Sequence, residues 1–398
     1  MSREGLQRAI MALDDRVTCT GTVVLGERLS IMLPDGDVAA ADDELLVEWL
    51  IAHGEPAPFG DVVTRETRVD TAVRAAVRLR ARGDVLVGGF DPASILPEIE
   101  AALSPRTRLV ARLTDVIVYP VGGHFALHKD TPHSPDLLGT LVVGLPVSHR
   151  GGAFLVGDQT IDWSGPCASN ELRWVALFSD ADHAVTPVTD GARVTLVYTL
   201  LRTEVARDDP QWRRRMADVR RELADLELPT EGPLVLACAR EVIGLDDPQP
   251  LPLDALRGVD RDLADELVSA GFAVTVRTCL AAREVEDYPA ETTAWNMTAP
   301  DLYFARLREP FTDRDVANLL EAVTFVQASC DGGGYLEDET TDISDRVDAI
   351  DTQNWLMRPG SIATFLAKRD FSNYGLVGND APETYLYKLA ALEIYRSA

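Results

Sequence analysis

The residues able to do metal or acid–base chemistry are unevenly spread along this 398-residue chain. All six histidines, His53, His124, His128, His133, His149 and His183, lie in its first half. The segment YPVGGHFALHKDTPHS contains His128-Lys129-Asp130. In extended backbone, residues i and i+2 project from the same face, so an imidazole and a carboxylate would converge. A third ligand is available at His183, in DADHAVTPV, at the head of another strand-like run. Two histidines and one carboxylate leave three adjacent coordination positions open. That set suits iron(II) that must take a chelating cosubstrate and O2 together. H-x-D pairs are common by chance, and the distal histidine heading a strand is what strengthens the reading.

Arg193 follows His183 by ten residues, in GARVTLVY, and Thr195 comes two positions later on the same strand face. A dicarboxylate needs a cation and a hydroxyl at the far end of its pocket, and arginine gives a strong charge-assisted grip. Alone, Arg193 reads as a surface ion pair and Thr195 as an ordinary strand former. Their joint placement after a candidate metal histidine favours the binding role. His53 ends a predicted helix before Gly54, and His149 sits in an SHRGG turn, so both read as structural. His124 and His133 flank the motif and read as structural or solvated. The Gly332-Gly333-Gly334 run has no following Lys-Ser/Thr and is no phosphate loop. No nucleophile elbow appears either.

The elements that must position these groups are short strands. From Arg108 to Arg202, runs such as RLVARLTDVIVY, GTLVVGLPV, GGAFLVG, LRWVALF and RVTLVYTLL alternate with Gly, Pro, Asp and Ser. This texture predicts a β-sandwich or barrel of jelly-roll size. Upstream, residues 20–33 read as extended, and ADDELLVEWLIAHG and ILPEIEAALS read as helices. The expected fold class is α+β and β-rich: a double-stranded β-helix with flanking helices, then a C-terminal α+β domain. The polar TEVARDDPQ stretch suggests a boundary, giving domains at 1–204 and 205–398. After it come a charged helix (WRRRMADVRRELADLE), helices at DLADELVSAG and DRDVANLLEAVTFV, and strands at LVLACA, FAVTVRTCL, SIATFLA and TYLYKLAALEIY. The acidic stretch CDGGGYLEDETTDISDRVDAID reads as a solvated loop.

Composition narrows the partners. A net charge of −26 repels phosphate backbones and anionic lipid heads, so neither nucleic acid nor membrane is expected. A polypeptide substrate would be favoured electrostatically if basic. Five widely spaced cysteines without C-x-x-C, no apolar leader and no long apolar run predict a soluble cytoplasmic protein.

The pattern of H-x-D, distal His, Arg at plus ten and a hydroxyl at plus two resembles the Fe(II)/2-oxoglutarate dioxygenases. YPVGGHFALHKDTPHSPDLLGTLVVGLPVSHRGGAFLV further resembles large members of their prolyl-4-hydroxylase-like branch. The likeness is strongest over residues 108–202. It extends to APFGDVVTRETRVDTAVR and to GLVGNDAPETYLYKLAALEIY. It implies that His128, Asp130 and His183 hold Fe(II). It implies that Arg193, helped by Thr195, binds the distal carboxylate of 2-oxoglutarate, with Tyr119 lining that pocket. Tyr119 reads equally well as a core aromatic. The implied reaction consumes 2-oxoglutarate and O2, with ascorbate as an allowed reductant. It releases succinate and CO2 and hydroxylates a C–H bond of a peptidyl, amino-acid or small-molecule substrate. Desaturation, cyclisation and demethylation are variants of the same chemistry. The histidine-free second half cannot repeat the ligand set, though its strands admit a degenerate second jelly roll that captures substrate or dimerises. Two other readings stay open: a zinc-type hydrolase, which needs no carboxylate clamp at Arg193, and a non-catalytic metal-binding sensor.

Overall fold

Side-chain alternation along two long strands decides the architecture of the first unit. Val116 and Val118 of one strand, with Val194, Leu196 and Tyr198 of its partner, join one apolar core. Ile117 and Tyr119 join another. The paired strands are therefore apolar on both faces and must be covered on both. The structure, a computed structural model, describes residues 3–13, 15–32, 38–41, 44–61, 66–81, 85–130, 134–204, 209–245, 249–285, 302–307, 347–350, 354–356, 364–370 and 383–397. The chain divides into two compact units, Arg16–Gln211 and a second built from Met1–Asp15 with Trp212–Ala398. This differs from the expected division into 1–204 and 205–398 in that the first fifteen residues group with the C-terminal unit.

The strands that carry the site are β1 Thr18–Val24, β2 Glu55–Pro56, β3 Arg74–Ala75, β4 Val77–Arg80, β5 Arg108–Tyr119, β6 His124–His128 and β7 Leu137–Gly144. They continue as β8 His149–Gly151, β9 Phe154–Val156, β10 Gln159–Ile161, β11 Glu171–Phe178, β12 His183–Val185, β13 Val188–Gly191 and β14 Arg193–Glu204. A seven-stranded antiparallel sheet runs β1-β11-β7-β14-β5-β4-β2, and a five-stranded sheet runs β10-β9-β12-β6-β3. Strands β8 and β13 form a separate ribbon. Phe125, Phe154, Val156 and Val185 of the smaller sheet pack with Ile117, Tyr119, Val142, Val175 and Leu177 of the larger, so the two sheets face each other across one core. The outer face of the large sheet is covered by helices Glu44–His53 and Leu96–Leu103 through Leu46, Leu50, Ile99 and Leu103. Glu100, on the second of these helices, is buried, accepts from the Leu109 N–H at 2.8 Å and pairs with Arg108. That contact fixes the helix on β5.

Close packing within the large sheet depends on two glycines. A Cβ at Gly139 of β7 would lie 1.9 Å from the Leu177 carbonyl oxygen of β11. One at Gly21 of β1 would lie 2.4 Å from the Trp174 ring. Neither position tolerates a side chain without moving its neighbour.

The second unit is described by itself. Its described strands form one mixed sheet in the order Val347–Ile350, Leu302–Leu307, Phe272–Val285, Glu383–Arg396, Leu234–Ala237, Trp355–Leu356, with Thr364–Asp370 also paired to Glu383–Arg396. No second, facing sheet occurs among the described residues of this unit. The expected charged helix is broken at Met216 into Pro210–Arg215 and Ala217–Leu223. Helix α1, Arg3–Met11, buries Leu6 and Ile10 against Trp212, Met216, Val219 and Leu223. Strands at LVLACA, FAVTVRTCL and TYLYKLAALEIY are present, as is one over Thr364–Asp370, which takes in the described part of the SIATFLA run, and a helix over Gly258–Ser269. The helix expected at DRDVANLLEAVTFV lies outside the described residues. So does the acidic stretch after Cys330, except the strand Val347–Ile350. No helix among the described residues is long and apolar enough to cross a membrane.

Candidate active site

His128 and His183 meet because their strands do. Strands β6 and β12 are antiparallel neighbours, with Phe125 opposite Val185 and His128 opposite His183 across an irregularity in the register. The two imidazole rings lie 4.1 Å apart, centroid to centroid, tilted by 54°. Each is held by an aromatic neighbour. Phe125 stacks on His128 at 3.5 Å, and Phe154 of β9 lies against His183 at 5.5 Å.

Asp130 completes the cluster by a different route from simple i, i+2 alternation. Strand β6 ends at His128, and Asp130 lies two residues beyond it. Its Oδ2 accepts a hydrogen bond from Thr140 Oγ1 of β7 at 2.6 Å. Its Oδ1 lies 3.9 Å from His183 Nε2. One donor atom from each of His128, Asp130 and His183 falls within 4.8 Å of the others.

The hydrogen bonds select which atoms face the centre. His128 Nδ1 sits 2.9 Å from the Ala126 carbonyl, and His183 Nδ1 sits 2.9 Å from the Ala181 carbonyl. A carbonyl only accepts, so both Nδ1 atoms carry hydrogen and both Nε2 lone pairs are presented. Burial, then the neighbouring His183, lowers the His128 imidazole to about 4, which keeps it in the neutral, ligating form. Two imidazole Nε2 atoms and one carboxylate fit a divalent iron with open positions, and nitrogen and oxygen donors of this kind also accept zinc.

Arg193 opens β14 directly opposite Tyr119, the last residue of β5. Thr195 stands opposite Ile117 on one side and Gly144 on the other. Residues 193 and 195 share the face that Ile117 and Tyr119 present to the interior between the sheets. That is the face toward which the smaller sheet, carrying His128 and His183, also packs. Arg193 is 2% exposed, yet its Nε and Nη2 have no hydrogen-bond partner. Its guanidinium lies 5.5 Å from the Tyr119 ring centroid and 5.1 Å from that of Trp163. Burial lowers it to about 10. A buried cation without an anion among the described residues is costly, and it is arranged to receive one.

The Arg193 pocket is also lined by Gly144, Trp163, Cys167, Arg173 and His149. His149 was expected in a turn as a structural residue. It instead heads strand β8 with its Nε2 buried and unpartnered. The neighbouring Gly151-Gly152 gave the turn-like appearance. Both have positive φ, and Gly152 lies so close to Arg193 that a Cβ there would be 3.0 Å from Arg193 Cδ.

Beside the cluster, a cleft of about 230 Å³ is lined by His128, Asp130, Phe125, Phe59, Arg74 and Lys129, among others. Arg74 lies 4.3 Å from the Phe125 ring and donates to the Pro58 carbonyl at 2.6 Å. His124 places both ring nitrogens on backbone carbonyls, Gly122 at 3.0 Å and Ala72 at 3.1 Å, and those bonds raise its basicity. It anchors the start of β6, as a structural role requires. His53, also expected to be structural, stacks on Trp49 at 4.2 Å. His133 lies outside the described residues.

No protein-family model matches the chain, and no curated protein matches it. Solved structures similar to it include a 2OG-Fe(II) oxygenase family oxidoreductase from Burkholderia pseudomallei, at 18% identity and TM-score 0.26, over 42% of this chain and 81% of that one. A Pseudomonas putida prolyl-4-hydroxylase matches at 15% identity and TM-score 0.29, over 50% of this chain and 100% of that one. A Trichoplax adhaerens prolyl hydroxylase, solved with a hypoxia inducible factor peptide, matches at 13% identity and TM-score 0.29, over 50% and 91%. All three overlap only loosely, with TM-scores of 0.26 to 0.29.

Proposed function

We propose that this chain is an iron(II)- and 2-oxoglutarate-dependent oxygenase whose catalytic unit, residues 16–211, is a double-stranded β-helix. One observation carries the reading. A buried, unpaired Arg193 faces the same intersheet interior as a His-Asp-His cluster whose free donor atoms converge. A zinc hydrolase or a metal sensor would use the cluster but has no need of that cation.

In this reading His128 Nε2, Asp130 Oδ1 and His183 Nε2 hold the metal. Bound iron(II), with 2-oxoglutarate and O2, supplies the oxidising power, yielding succinate and CO2 and inserting oxygen into a substrate C–H bond. The chain's own part is geometric and electrostatic. Thr140 fixes the Asp130 carboxylate, and the Ala126 and Ala181 carbonyls fix the imidazole tautomers. Arg193, with Thr195 and Tyr119, orients the distal carboxylate, so the keto end of the cosubstrate points toward the metal ligands. Phe125 and Phe154 keep the imidazoles in an apolar setting.

The cleft beside His128 and Asp130 is the substrate entrance. Its volume suits a single residue or a small molecule. Arg74, Arg78 and Lys129 line it, which favours an anionic group on the substrate over a basic polypeptide, despite the acidic surface.

The test is anaerobic addition of Fe(II), then 2-oxoglutarate, to the metal-free protein. A visible charge-transfer band lost in both His128→Ala and Arg193→Ala is the expected result. Tight metal binding with no band would reject the oxygenase and return the zinc and sensor readings.

A further inference from the structure

We propose that His149 is a second carboxylate-binding group in the Arg193 pocket, and that it takes up a proton when a dicarboxylate binds there. The inference rests on the 2-oxoglutarate reading above. His149 is 6% exposed, lines the same cavity as Arg193, and leaves Nε2 without a partner. Buried polar atoms of folded proteins nearly always have partners, so two unpartnered side chains on one cavity point to a polar ligand.

The hydrogen-bond pattern dictates the proton. His149 Nδ1 lies 3.0 Å from the Val147 carbonyl, so Nδ1 carries hydrogen. The neutral ring then shows a bare lone pair at Nε2, which repels a carboxylate. Only the imidazolium presents an Nε2–H that donates to one. The proton comes from solvent and resides on Nε2, and no other bond changes.

The surroundings keep the ring neutral until the anion arrives. Burial opposes protonation, as do Arg193 of β14 and Arg173 of β11, while the Val147 carbonyl and Asp162 just after β10 favour it without reversing the balance. The remaining titratable group of the pocket, Cys167, is held in its uncharged thiol form chiefly by burial. A bound carboxylate offsets the two guanidiniums and reverses the balance. Affinity for the dicarboxylate therefore rises as pH falls through the bound-state value of His149 and levels off below its free-state value.

Isothermal titration calorimetry of the full-length Mn(II)-loaded protein with 2-oxoglutarate tests this, because proton uptake can be counted from buffers of different ionisation enthalpy. Preloaded metal keeps the ligating atoms of His128, Asp130 and His183 free of protons, and 2-oxoglutarate itself does not titrate near neutrality. Wild type is expected to take up as much as about one proton, with Kd weakening several-fold between about pH 6 and about pH 8. His149→Gln, whose amide donates without a proton, is expected to bind with flat pH dependence and no uptake. His149→Phe should bind about tenfold or more weakly than wild type at the acid end, with no slope. Wild type that binds 2-oxoglutarate without proton uptake overturns the proposal, and so does a His149→Phe variant that keeps the wild-type slope. Protein that binds Mn(II) but no 2-oxoglutarate overturns the oxygenase reading, and this proposal with it.

Discussion

Replacing Arg193 by methionine should stabilise the ligand-free protein while abolishing cosubstrate binding. Methionine follows the path of the arginine stem past Gly152, where space is tight. Burial lowers the guanidinium from its ordinary value to about 10. At about 1.4 kcal/mol per tenfold change in acidity, holding the cation there costs about 3 kcal/mol. The sign is fixed across the working range. A cation whose folded value is depressed carries its full penalty at every pH below that value, and relief begins only as pH climbs through about 10. The Tyr119 and Trp163 rings return about 1–2 kcal/mol by cation–π attraction. A net cost of about 1–2 kcal/mol remains, which methionine removes. For a unit of this size that is a rise in melting temperature of about 3–6 °C. With 2-oxoglutarate at about a hundred times its Kd, wild type should gain about 2.7 kcal/mol and the variant nothing, so the ranking inverts. Scanning calorimetry on Mn(II)-loaded protein, with and without 2-oxoglutarate, reads both halves. An Arg193→Met protein that melts below wild type without cosubstrate would show that the guanidinium is satisfied in the empty pocket, and the argument from an unpaired cation would fail.

Thr140→Val removes the donor that orients Asp130 and should weaken Mn(II) binding about 10–100-fold, read by electron paramagnetic resonance titration; unchanged affinity would mean Asp130 is positioned by other contacts. Tyr119→Phe keeps the ring beside Arg193 but loses the hydroxyl, so a 2-oxoglutarate Kd raised by about tenfold is expected if that hydroxyl reaches the carboxylate, and an unchanged one would make Tyr119 a core aromatic. Gly139→Ala forces a methyl group into the Leu177 carbonyl and should cost more than about 3 kcal/mol, seen as loss of a cooperative melt, whereas a stable variant would contradict the observed β7–β11 spacing.

The clustering of His128, Asp130 and His183 was legible because histidine is scarce here and confined to half the chain, so few combinations were possible. Arg193 and Thr195 were legible because strand alternation assigns them one face. Their burial was not, since it depends on two sheets meeting. The route by which Asp130 reaches the site was misread. Asp130 joins the cluster, but not by alternation, because β6 stops at His128 and a threonine ten residues away holds the carboxylate. His149 was hidden by its company. A His-Arg-Gly-Gly run looks like a turn until the β8–β13 ribbon is seen to direct the ring into the Arg193 pocket. Residues 1–15 were placed with the nearer unit because local sequence cannot say which distant apolar face will cover Leu6 and Ile10.

That last feature governs the order in which the molecule can be assembled. The unit containing α1 is discontinuous, with all of residues 16–211 lying between its two segments. During synthesis α1 emerges before residues 16–211, whereas Trp212 to Leu223, which cluster with Leu6 and Ile10, emerge after them. Loop closure over so long a segment grows only logarithmically in cost, but every contact α1 makes is non-local and comes late. The segment carrying the candidate active site has its core residues in hand much earlier, since the clusters around Val116 and Ile117 draw only on residues before 212. A nascent chain therefore has what it needs to bring His128, Asp130 and His183 together while helix α1 is still waiting for a partner.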